Sequence, residues 1–301
     1  MANETTSTTM SELTIAMKSQ AMLGLYEESL MAPGAPYHGL MREYILPKGQ
    51  TSYQWNVSST FDVDEVSEGV DYTRSQAWDP TGVSVTATEY VVMSTVTDYG
   101  AQAVIANVDA AIGIEMGRAM GTKWDGVVFA LNQSLDGLTP AGTTNTDLTL
   151  LALSDAMNTL RVGKCSGPFV GVFHPLAWHD LVTEDTSSKL VTATGGVGTI
   201  AEDVATSYFI ENNVMGLSRV ALTTNIPTGA SANDYSNVIF SREPCYGNVI
   251  MQDPNGSGLW NNRVEVQRDA SFRGYEIVMT SCFGVGEIRD ASAIEVYSQS
   301  S

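Results

Sequence analysis

From Ser11 onward the stretch SELTIAMKSQAMLGLYEESLM places Leu13, Met17, Met22, Leu25 and Leu30 near helical spacing, behind a residue of N-cap type, Ser11. Pro33-Gly34-Ala35-Pro36 stops that pattern. A short helix on an N-terminal arm is therefore expected, with residues 1–9 as a mobile Thr/Ser-rich tail. Residues 40–97 change period. Apolar and polar positions alternate in YQWNVSSTFDV and again in GVSVTATEYVVMSTV, which is the signature of strands. Between them DVDEVSEGVDYTR carries five acids, Asp62, Asp64, Glu65, Glu68 and Asp71, before its first base, Arg74. The pattern predicts a long two-stranded excursion with an acidic tip. A lone hairpin is marginal in water, so either the rest of this chain or a neighbouring chain must supply a surface for it.

The strongest helical signal covers residues 101–132, where Val104, Ile105, Val108, Ile112, Met116, Ala119, Met120, Val127, Val128 and Leu131 recur at three and four, with Asp98 ahead as a cap. One continuous helix there would run about 45 Å. Gly113, Gly117 and Gly121, four apart, weaken it and give it a flat face for close packing. After a Gly/Thr-rich loop at 134–147, the pattern predicts a helix at 148–162, a strand in PFVGVFHP, and a helix from about Leu176 to Val182. A loop at 183–200, a helical piece near 200–211, and strands at 219–225, 237–241 and 247–252 follow. The end, 264–298, is rich in strands, with turns at Arg273-Gly274 and near Arg289-Asp290. Helices and strands intermix without strict βαβ alternation and without repeats, so the fold class is α+β.

Composition narrows the partners. With 301 residues, 43% of them hydrophobic and 16% charged, the chain is an ordinary globular one, long enough for one elaborated domain or two. The 34 acids against 15 bases give a net charge of −19, which repels nucleic acid and anionic membrane alike. Cys165, Cys245 and Cys282 are far apart with no CxxC pair, so they read as small buried hydrophobes. The opening MANETTSTTMSELT has neither basic nor apolar signal-peptide character, and no apolar run is long enough to span a bilayer, so synthesis in the cytoplasm is expected.

No chemistry is spelled out. Gly196-Val197-Gly198-Thr199-Ile200-Ala201 matches the dinucleotide pattern G-x-G-x-x-A. That fold, however, needs a strand running into the first glycine and an acid ending the next strand, and here the next strand ends at Thr223-Thr224-Asn225. Gly195, Gly196 and Gly198 therefore read as a flexible loop rather than a cofactor turn. His174, His179 and Asp180 have a five-residue spacing across Pro175 that does not suit two metal ligands on one helix. From Asp62, an EF-hand would require an oxygen ligand at Val66 and a glycine at Ser67. There is no GxSxG and no phosphate-loop motif. A structural or assembly role is the expectation, with no cofactor and no metal.

The order of parts resembles the major capsid protein of tailed bacteriophages, with the Hong Kong 97-like fold. VTDYGAQAVIANVDAAIGIEMGRAMGTKWDGVVFALN (96–132) is similar to its spine helix, and GPFVGVFHPLAWHDL (167–181) to the strand and helix of its A-domain. VMGLSRVALTTNIPTG (214–229) and VQRDASFRGYEIVMTSCFGVGEIRDASAIEV (266–296) resemble an A-domain strand and the closing P-domain strands. The resemblance implies an N-terminal arm (1–39), an extended hairpin or E-loop (40–92), a P-domain with the spine helix (93–147), an A-domain (148–258) and closing P-domain strands (259–301). It implies a non-enzymatic subunit that assembles as hexamers and pentamers into an icosahedral head around double-stranded DNA, in the virion. A separate scaffolding protein, a portal and a decoration protein are the implied partners. In that reading the E-loop lies over the adjacent subunit, with Tyr53, Trp55, Asp62, Asp64, Glu65, Glu68, Tyr72 and Trp78 at the contact. No lysine occurs between Lys48 and Lys123, so the E-loop cross-linking of some members is not expected. Rival readings are an encapsulin-type compartment shell and an NAD-dependent oxidoreductase resting on GVGTIA.

Overall fold

The computed structural model describes residues 3–57, 61–73, 75, 80–103, 108–184, 209–210, 216–229, 234–241, 245–252 and 263–299, with side chains of 1–13, 182–184 and 209–210 left aside. The chain opens with helix α1 (Asn3–Glu28) and a strand β1 (Met41–Leu46). A hairpin follows, β2 (Ser52–Val57) and β3 (Thr81–Thr86), and then β4 (Thr88–Thr97). Helices α2 (Asp98–Ala103) and α3 (Val108–Ala130) lead through a short 3-10 turn to α4 (Leu150–Val162). Next come β5 (Phe169–Phe173), α5 (Pro175–Glu184), β6 (Phe209–Ile210), β7 (Leu217–Leu222) and β8 (Asp234–Phe240). The chain closes with β9 (Tyr246–Met251), β10 (Arg263–Asp269), β11 (Gly274–Glu287) and β12 (Ala293–Gln299).

These strands form two five-stranded sheets and the separate β2–β3 ladder. In the first sheet β11 is the common strand. Phe283 pairs with Thr88 of β4 and also with Ile250 of β9, so β4 runs along one edge of β11 while β10 and β9 share the other. Strand β1 joins the far side of β9 in parallel. The second sheet, in order β12-β8-β5-β7-β6, mixes parallel and antiparallel pairs. Its central strands are buried on both faces, which is why FVGVF reads as a continuous apolar run instead of alternating. Val170, Val172, Val238 and Phe240 face the core shared with α1 and α3, while Phe169, Phe173, Val220 and Ile239 face α4 and α5. Between the sheets, Asn132 donates to the Ser236 carbonyl (2.8 Å) and accepts from the Tyr246 hydroxyl (2.7 Å), so this crossing is tied by buried polar bonds.

Helices α1 and α3 lie side by side, running in the same direction: Gly113 meets Met17, Gly117 meets Ala21, and Gly121 meets Leu25. Gly24 and Gly117 are required there, because a Cβ on either would run into the backbone carbonyl of Ile114 or Ala21 across the contact. The flat glycine face expected from the sequence is thus the seat of the arm helix. On its other side α3 stacks Trp124 on Phe283 of β11, with ring centroids 3.6 Å apart.

Several expectations change. The backbone is helical from Asn3, not Ser11, so residues 3–9 of the expected tail are part of α1. Propagating a helix costs far less than nucleating one, and weak Thr and Ser formers can extend it. Of the helix expected at 101–132, the described residues 101–103 are helical as the end of α2 and 108–130 as α3, and residues 104–107 lie outside the described set. Asp98 opens α2 and its carboxylate is taken by Arg268 through bonds of 3.0 and 2.8 Å. The run 82–96 is two strands in different ladders, broken at Ala87, whose N–H turns to the Thr51 carbonyl. Within the expected helical piece near 200–211, residues 209–210 are strand β6; the rest is not described.

Candidate assembly surface

Tyr53 and Trp55 stand two apart on β2, so they share a face. That face turns inward. Tyr53 stacks on Tyr44 of β1 with centroids 3.7 Å apart, and Trp55 meets Tyr53 edge-on at 4.8 Å. Beneath them lie Leu46, Val85 and Val249, all buried. Gly247 leaves room for the indole: a Cβ built there would stand 2.7 Å from Trp55 Nε1. That Nε1 is buried without a hydrogen-bond partner among the described residues. The base of the hairpin is therefore a small core within its own chain, and the two aromatics expected at a subunit contact are half-buried in it.

The tip differs. Every residue from 61 to 73 is exposed, and no strand ladder includes any of them. Five large side chains, Phe61, Val63, Val66, Val70 and Tyr72, are uncovered, with Val63 97% exposed. They interleave with Asp62, Asp64, Glu65, Glu68 and Asp71. Local bonds shape the limb: the Val70 N–H reaches the Ser67 carbonyl at 3.2 Å, Gly69 adopts a φ of +83° at the turn, and the Tyr72 hydroxyl donates to Asp64 at 2.9 Å. Of the expected contact residues, Asp62, Asp64, Glu65, Glu68 and Tyr72 are gathered on this limb. Trp78 and the loop Gly195, Gly196 and Gly198 lie outside the described residues.

A second exposed apolar feature lies on the first sheet. Val91 and Met93 on the outward face of β4 are each more than half exposed, and Met93 pairs with Val278 of β11. On the inward side Val92, Ile112 and Met116 line a groove between β4 and α3.

Charge is handled differently in the interior. Asp125 of α3 is fully buried and accepts from Ser29 Oγ (2.6 Å), Leu30 N (2.9 Å) and Met31 N (3.1 Å). Burial raises its pKa, and these donors pull against that rise. Asp290 sits in the 3-10 turn where the chain crosses from β11 to β12. Burial first, then a hydrogen bond to Asp136 and the charge of Glu287, push its carboxyl up to about 7. His174 is buried against Tyr235, centroids 3.7 Å apart, and burial lowers its pKa. His179 pairs with Asp180 at 3.8 Å on α5, away from His174's stacking contact.

Asp125 and the Asp98–Arg268 pair carry no motif in the sequence. For Asp125 a signal existed: it is a lone acid on the apolar face of α3 that carries Gly121, Trp124 and Val128. The Asp98–Arg268 pairing joins residues far apart in the chain, where periodicity is silent.

Sequence comparison finds no matching protein family and no matching curated protein. Comparison of structures is informative. The capsid of cyanophage P-SCSP1u superposes with a TM-score of 0.63 at 15% identity, covering 88% of each chain. A structure of Mycobacterium phage Che8 gives 0.62 at 18% identity, over 82% of this chain and 84% of that one. A virus-like particle from Pyrococcus furiosus gives 0.58 at 14% identity, over 93% and 97%. At such identities the likeness establishes the fold, and the fold is that of phage capsid proteins.

Proposed function

We propose that this chain is the major capsid subunit of a tailed phage and that its work is self-assembly rather than catalysis. Copies tile as hexamers and pentamers into an icosahedral head that encloses double-stranded DNA, many weak contacts summing across the lattice. One observation carries the reading beyond fold likeness: a capsid fold bearing a fully exposed limb, 61–73, in which uncovered apolar side chains alternate with acids. A soluble monomer gains nothing from such a limb, whereas a shell subunit can cover it with a neighbour. We assign 1–39 to the arm, 40–92 to the E-loop, 93–147 and 259–301 to the P-domain, and 148–258 to the A-domain. The net charge of −19 suits a wall that must not adhere to the DNA inside it. Scaffolding, portal and decoration proteins are supplied as separate chains.

Electron microscopy of the purified chain tests this directly. Shells, or free hexamers and pentamers, are the expected result; a protein that stays monomeric at high concentration would overturn it. Denaturing electrophoresis of intact particles should give a single band at 32 kDa, since no lysine lies between Lys48 and Lys123.

A further inference from the structure

At one end of the first sheet lies a cleft of about 490 Å³, lined by Thr97, Asp98, Tyr99, Gln102, Phe272 and Arg273. Its walls are the junction of β4 with α2 and the turn between β10 and β11. Tyr99 is 84% exposed, and Phe272 is exposed as well. Asp269 builds the turn, accepting from Ser271 N (2.8 Å), Ser271 Oγ (2.7 Å) and Phe272 N (3.2 Å). The turn holds Arg273 at a φ of +53°, left-handed backbone that residues other than glycine seldom adopt. Asp98, the acid of the cleft, is already taken by both Nη groups of Arg268. The Arg273 guanidinium therefore has no ion pair among the described residues. A cation and two bare aromatic rings stand together there.

We infer that this cleft receives the acidic limb, 61–73, of a second copy of the chain, so that each subunit grips the next head to tail. The inference rests on the assembly role proposed above and names where the limb lands. Both halves of the chemistry match. The limb offers Glu65, Glu68 and Asp71, none ion-paired among the described residues, and the uncovered side chains of Val66, Val70 and Tyr72. The cleft answers with arginine and aromatic rings, the side chains that most often anchor protein contacts. The other bare apolar patch, Val91 and Met93, suits the limb less. Glu89 stands on the same face of β4, and Glu276 of β11 pairs with Thr95 beside it, so the limb would meet like charge.

Limb and cleft sit at opposite ends of one run of strand. β3 and β4 pass in a single direction along β11: Val85 lies against Gly286 and Thr86 against Gly284, then Thr88 pairs with Phe283 and Thr97 with Gly274. The limb joins this run at Thr81 and the cleft closes it at Thr97, about 50 Å of strand away. Every limb residue is exposed, so none fills the cleft of its own chain. A contact between unlike ends is heterologous: it does not stop at a dimer but closes into a ring or runs on as a lattice.

Charge reversal in the full-length chain tests the pairing. Arg273→Glu should raise the concentration needed for shell formation by about tenfold or more, since like charges then face each other. Tyr99→Ala, which leaves the turn intact, should weaken assembly in the same direction. Adding Glu65→Arg and Glu68→Arg to Arg273→Glu should restore shells in electron micrographs. All four positions are exposed, so the free subunit should keep its wild-type melting temperature in each variant. Wild-type assembly of Arg273→Glu or Tyr99→Ala would overturn the inference. So would a failure of the limb substitutions to restore shells, which would give the cleft to another occupant. Shells lost on deleting 60–75 but kept in Arg273→Glu would preserve the assembly role and overturn the cleft alone. A wild-type chain that forms no shells, hexamers or pentamers would remove both.

Discussion

One hairpin shows two opposite relations to the rest of the molecule. At its base, Tyr53 and Trp55 close over Tyr44, Leu46 and Val249, and the chain supplies its own cover. A short distance along, between 61 and 73, every residue is exposed, Phe61, Val63 and Val66 among them. The same alternation of apolar and polar residues serves both ends. What differs is whether a partner surface exists in the chain: the base has β1 and β9 beneath it, and the tip extends past them. Burial within the subunit marks what stabilises the fold, and exposure of equally apolar residues marks what is left for assembly.

Deleting 60–75 should break the comparison most completely. The expected outcome is a folded subunit with an unchanged melting temperature that forms no shells by electron microscopy; normal shells would remove the limb from the assembly contact. Trp55→Ala should act at the other end of the hairpin. It should cost about 3 kcal/mol in denaturant unfolding, because the indole leaves a cavity over Gly247. Tyr72→Ala, on the exposed limb, should cost less than about 0.5 kcal/mol. A large loss from Tyr72→Ala would mean the limb is covered within the subunit after all.

A third contrast is between two glycines of α3. Gly117→Ala forces the arm and spine backbones apart and should destabilise by about 2 kcal/mol. Gly126→Ala meets nothing within 4 Å and should stabilise by about 0.5–1 kcal/mol through helix propensity, both read from thermal unfolding. The smallest effect belongs to a carboxylate. Asp290, raised to about 7, contributes stability below the ordinary carboxylate range and loses it as pH climbs through about 7. Asp290→Asn should therefore gain about 1 kcal/mol at pH 8, after allowing for solvent screening, and nothing at pH 4.

Much of this fold was legible in residue order. The helix expected at 148–162 is α4, opened by Thr149, whose hydroxyl accepts the Ala152 N–H at 3.1 Å. FVGVF, the β2–β3 pairing and the strand-rich end also follow from periodicity and turn residues. Strand β1 was missed because its burial is confined to Met41 and Leu46 at its ends, and it exists through parallel pairing with β9, about two hundred residues away. For the candidate surface, period two put Tyr53 and Trp55 on one face but could not say which way that face turns. Gly247, small enough to receive the indole, lies on a distant strand that no local pattern connects to β2. The limb was readable for the opposite reason: its acids have nothing to do with the core, and charge alone marked them.

The long strand β11 has a mechanical consequence. β3 passes into β4 across the single residue Ala87, and ten residues of β4, Thr88–Thr97, are in antiparallel register with β11. A pull on the hairpin along its own axis therefore loads that ladder in shear, where its hydrogen bonds must yield together instead of opening one after another. Forced opening is governed by the barrier to unfolding rather than by equilibrium stability. A subunit built this way can transmit tension from its outstretched hairpin into the centre of the first sheet and hold it there.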